Sequence, residues 1–266
     1  MRPRIIATLV MAATWGAWRW YVERVSSAPE EAASLALTIA FLVVLGFLRR
    51  ATPAESRSIP MMRIALQLIA YAAGHAFLPP IGRAALAVTA TVFTLHLAAF
   101  RERPPVAFWG LVALALPVVP SLQFTLGYPM RLVSAALTIV LLRAQGLEVA
   151  RQGTFLVWRD EMIQFDAPCS GVNMLWAGLL LTLMGCVLYR LAALRVMLAV
   201  GLSVALSIPC NVLRASSLFY VEAGLAPQGP AWLHEGIGIA AFALSALAML
   251  WVLVRLRDLE VTRCTM

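Results

Sequence analysis

Cys169, Arg214 and His234 lie far apart in the chain, yet together they supply the side chains of a cysteine acyl-transfer site. A thiol becomes a strong nucleophile when a cation or a helix N-terminus lowers its pKa. A histidine titrates near neutrality and can hand a proton to a leaving amine. An arginine offers forked donors to the oxyanion of a tetrahedral intermediate. Each residue also has a plainer use: a small packing cysteine, an arginine snorkelling at a helix end, a histidine capping at an interface. Asn173, Asn211 and Glu235 are polar neighbours that would either orient these groups or satisfy helix-end backbone.

Elements able to position such a trio follow from composition. The chain has 266 residues, 62% hydrophobic and 13% charged, with a mean hydropathy of +0.85. Soluble domains carry about twice that charge, so the expected fold is an all-α polytopic membrane protein. The apolar runs are continuous rather than alternating, which argues against a barrel. All the basic residues are arginine, and the net charge of +8 is better explained by orientation signals at helix ends than by nucleic acid. Four scattered cysteines and three scattered histidines show no metal-ligand spacing, and no cofactor is suggested. The N-terminal run continues through Trp15, Trp18, Trp20 and Tyr21, an interfacial belt that reads as an uncleaved first span.

Apolar segments fall near 5–22, 32–48, 62–79, 83–100, 106–120, 130–147, 171–189, 195–213 and 234–254. Arginines at 2 and 4, 49–63, 101–103, 190–195 and 255–263 should all be cytoplasmic. That requires an even number of crossings between residues 103 and 190, where three apolar segments lie. The segment 106–120, bracketed by Pro104, Pro105, Pro117 and Pro120, is the one expected to enter partway. About eight transmembrane helices with both termini inside, plus this partial segment, then satisfy every arginine cluster. If Arg101 and Arg103 face outward instead, there are nine.

The expected organisation is a single integral membrane domain over 1–266. It has N-terminal spans to 129, a region carrying the chemistry over 130–254 and a cytoplasmic tail over 255–266. Residues 148–168 then lie outside. Within them, 154–158 and 162–165 are β-prone runs around Arg159-Asp160-Glu161, which predicts a small extracytoplasmic β-hairpin at about 150–167. The hairpin would cap the bundle or shape a groove for an extended peptide. Cys169 falls at the start of one apolar helix, where Pro168, Ser170 and Gly171 suit a helix N-terminus. Arg214 and His234 fall at two other outer helix ends, so the three share one depth; their lateral proximity does not follow from the sequence.

These residues resemble the exosortase/archaeosortase family of polytopic membrane cysteine transpeptidases. The resemblance rests on Ala167-Pro-Cys-Ser-Gly171, on Asn211-Val-Leu-Arg214, and on His234 followed by Gly236 and Gly238. It covers roughly residues 130–254; the earlier spans match only as generic membrane helices. It implies cleavage of exported proteins that end in a short motif (Pro-Glu-Pro in one branch), a membrane helix and a basic tail. It also implies Cys169 as nucleophile with Arg214 and His234 as partners, a bacterial type of site, and a location in the inner (plasma) membrane with the chemistry on the extracytoplasmic side. The partners are such substrates and the lipid bilayer.

Other readings stay open on the residues themselves. Water as acceptor would make the protein a protease rather than a transpeptidase. A transporter or assembly subunit would be expected to show charged or broken helices at mid-membrane and internal repeats, and neither is evident. A disulfide between Cys169 and Cys210 is a further alternative at the outer face.

Overall fold

The computed structural model describes residues 3–27, 29–48, 61–99, 104–159, 161–164, 170–226 and 232–264. Among them the chain is mostly helical, with one small sheet, and it divides into two compact units, Met1–Val118 and Val119–Met266.

The first unit contains α1 (Pro3–Ala13), α2 (Trp15–Ser26), α3 (Pro29–Leu48), α4 (Met61–Phe77), α5 (Pro80–Ala99) and α6 (Val106–Leu114). The first apolar segment is therefore two helices that meet at Thr14 rather than one unbroken helix. Thr14 departs from helical geometry at φ −108°, ψ 20°, while its hydroxyl donates to the Val10 carbonyl at 2.8 Å and its own carbonyl accepts from Ala17. On α5, Ala84, Ala87 and Ala90 are almost completely buried; such small residues let helix backbones approach closely. Ala90 meets Ile6, Val10 and Ile64, and Ala87 meets Ala17 and Tyr71. The nine residues of α6 rise only about 14 Å, half of a bilayer core of about 30 Å.

The second unit contains α7 (Val119–Ala144), β1 (Ala150–Gln152), β2 (Phe155–Trp158), β3 (Glu161–Gln164), α8 (Val172–Leu188), α9 (Ala193–Glu222) and α10 (Trp232–Cys264). Among the described residues three helices are long and apolar enough to cross a membrane: Val119–Ala144, Ala193–Glu222 and Trp232–Leu259. Several boundaries differ from expectation. The helix expected from 130 begins at Val119, because Pro120 falls in the first turn, where no intrahelical N–H bond is needed. α9 continues two turns beyond Arg214, and α10 carries the tail in helical form to Cys264.

The expected hairpin is a three-stranded antiparallel sheet in the order β1-β2-β3. Trp158 pairs with Glu161 across a two-residue connection in which Arg159 takes φ 49°. Gln152 pairs with Phe155 across another, with Gly153 at φ 64°. Both positive angles match the turns that connect twisted strands tightly. The inner face of β2 presents Leu156 and Trp158 to Ala135, Ile139 and Leu142 of α7 and to Ala215 and Phe219 of α9. The sheet thus clamps the distal part of α9, and that is what fixes the stretch carrying Arg214.

Candidate active site

α8 starts at a tight junction. Gly171 caps it with φ 79°, a left-handed conformation that favours glycine, and its carbonyl accepts from Leu175 at 2.8 Å. A Cβ at this position would fall 2.8 Å from Cγ of Asn211, so the glycine is required for space as well as for backbone angle. Just before it, Ser170 is fully buried. Its hydroxyl donates to Gln123 Oε1 at 3.1 Å and accepts from the Val172 amide at 3.3 Å. The junction is therefore held to α7 through Ser170 and set close against α9 at Gly171.

Asn211 makes the link from the other side. It is 1% exposed, touches Gly171, and donates through Nδ2 to Ser134 Oγ on α7 at 2.9 Å. Arg214 lies three residues further along α9, on the same face by helical spacing. It is half-buried, and its Nε would lie 3.3 Å from a Cβ placed on Gly238 of α10. The missing side chain at 238 is thus what leaves room for the guanidinium between the two helices. His234 is one turn back along α10 on the Gly238 face. Its ring is exposed, with Nδ1 3.8 Å from Glu222 Oε1 near the end of α9.

Of the three residues expected to share a site, Arg214 and His234 are thus carried by neighbouring turns of two packed helices, α9 and α10. Cys169 lies outside the described residues; Ser170 and Gly171, which follow it, adjoin Asn211. Cys210 is a free, buried thiol, and Cys169, its partner in the disulfide alternative, lies outside the described residues. Asn173 and Glu235 are exposed, whereas Asn211 is the buried one of the three polar neighbours. Sequence reasoning missed Gln123, Ser134 and Glu222. The available signal was the glycine in each block, since a glycine beside a helix start or in a helix interior often marks a close approach. Elsewhere, His75 meets Arg83 and the Tyr71 ring, and His96 is buried against Phe108.

The family model for transmembrane exosortases matches residues 5–251. The chain is a membrane protein of the transmembrane exosortase family. The match reaches back over the N-terminal helices, which the motifs alone left as generic spans. Among curated proteins and among solved structures, none matches the chain.

Proposed function

We propose that this protein is a membrane cysteine transpeptidase that cleaves C-terminal sorting signals of exported proteins at the outer face of the plasma membrane. The observation that supports the reading is the pair of close approaches Gly171–Asn211 and Arg214–Gly238 in the second unit, which join residues of the three blocks that carry the resemblance. Eight crossings with both termini inside would put that place outside, beside the sheet.

In this reading the Cys169 thiol gives its proton to His234, and the thiolate attacks the scissile carbonyl carbon. Arg214 donates hydrogen bonds to the oxyanion. His234 returns the proton to the leaving amine as the C–N bond breaks, leaving a thioester on Cys169. An acceptor amine or hydroxyl, or water, then displaces the thiolate. A Pro-Glu-Pro-like motif followed by a membrane helix and a basic tail is the expected signal. The test is the Cys169→Ala protein: processing of such a substrate should vanish while membrane insertion stays normal. Continued processing would reject the assignment. The mass of the product's new C-terminus separates transfer from hydrolysis.

A further inference from the structure

Gln123, Gly127, Arg131, Ser134 and Thr138 recur along α7 at intervals of three and four, so they share one face of the helix. Contacts fix where that face looks. Gln123 accepts from Ser170, Ser134 accepts from Asn211, and Gly127, Ser134 and Thr138 are buried. Arg131 occupies the middle of this stripe. It is half-buried with its Nε sealed from solvent, and among the described residues it makes no hydrogen bond or ion pair. Nearby, Arg151 of β1 brings Nη1 to within 3.5 Å of the Leu132 carbonyl, adding a second cation to the same turn of α7.

Removing part of a guanidinium from water without a partner is costly, and a neutral side chain would pack there more cheaply. The residues on either side of Arg131 along the stripe are the ones that hold Ser170 and border Gly171's partner, immediately after the proposed nucleophile. The opposite face of α7 exposes Val133, Leu137 and Val140, as a lipid-facing side would. An anion meeting Arg131 therefore comes from a chain entering the site rather than from the bilayer. The anion that a polypeptide carries is a carboxylate, and the guanidinium fork matches it with two parallel N–H···O bonds.

We propose that Arg131 is a substrate-binding residue that receives an aspartate or glutamate side chain lying close to the scissile bond. The inference rests on the transpeptidase reading for the identity of the entering chain, and its test is built so that the two can fail separately. Full-length Cys169→Ala protein in nanodiscs is titrated with membrane-anchored peptides bearing Glu, Gln or Arg at successive positions before the helix. One Glu peptide should bind at least about tenfold more tightly than its Gln counterpart, the scale of a charge-assisted hydrogen bond. Adding Arg131→Gln should abolish that difference, Arg131→Lys should restore part of it, and Arg131→Glu should favour the Arg peptide. A monodisperse, thermally stable Arg131→Gln protein that keeps the Glu preference overturns the proposal. So does a preference that follows the anionic lipid content of the disc instead of the peptide. Glu-dependent binding without cleavage by the wild type would defeat the transpeptidase reading alone. Cleavage by the wild type that ignores Glu versus Gln would defeat the Arg131 assignment alone.

Discussion

In residues 1–118 the hydroxyls inside the helices mostly bond back to their own helix, Thr14 to Val10, Thr89 to Ala85 and Thr94 to Ala90. Tyr21 to Ala115 and Arg83 to His75 are bonds there that run between elements. In residues 119–266 Thr125, Thr182, Ser207, Ser216 and Ser217 bond back in the same way, and further polar side chains bond between elements: Ser170 to Gln123, Asn211 to Ser134, Tyr220 to Gln145 and Arg195 to the Leu259 carbonyl. A hydroxyl satisfied within its own turn leaves a helix free to slide against its neighbour. A bond between helices fixes their register. The two units share an apolar composition, and both hold bonds between elements, but among the described residues the second carries the fully buried one, Asn211 to Ser134. That is what the proposed site, drawn from three separate segments, would require.

The sharpest way to break this comparison is to loosen the second unit while leaving each of those hydrogen bonds in place. Trp158→Ala removes the side chain that packs on Phe219 at 6.2 Å between ring centres, and it should cost about 3–5 kcal/mol. Thermal unfolding in detergent would read it, and processing should fall with it because α9 loses its clamp. Arg214→Ala should separate the two readouts, lowering the processing rate about 10²–10³-fold with little change in unfolding temperature. An equal loss of stability would make Arg214 a structural residue. Gly171→Ala combines a strained φ of 79° with a collision at Asn211, and should cost about 1–3 kcal/mol along with processing. Full activity there would show that the junction need not be held. Tyr21→Phe deletes the 2.6 Å bond to Ala115 in the first unit. It should cost about 1 kcal/mol in unfolding and leave the processing rate unchanged; a rate loss there would erase the contrast between the units.

Much of this was legible in the sequence, and the parts that were not have physical causes. The apolar runs reveal α8, α9 and α10 because lipid-facing helices need no polar face. The β-prone runs reveal β2 and β3. β1, Ala-Arg-Gln, is invisible because all three side chains are exposed and only its main chain pairs. Residues 121–129 fall between two expected segments, yet they are helical: Pro120 sits in the first turn, and Pro129 is carried inside the helix. The depth of Arg214 and His234 followed from helix length. Their adjacency did not, because rotation of one helix about its axis leaves hydropathy unchanged. Only the packed glycines at 171 and 238 record that rotation.

α9 runs eight residues past Arg214, about 12 Å, and Ala215 and Phe219 in that overhang are gripped by the sheet. The arginine's anchor point is therefore braced from beyond, like a hook set below the lip of a beam held at its tip. A brace of this kind limits how far its backbone can shift, so a bound partner would have to travel to the guanidinium. A freely diffusing peptide with no tether to draw it below that lip should be a poor competitor for one delivered along the bilayer.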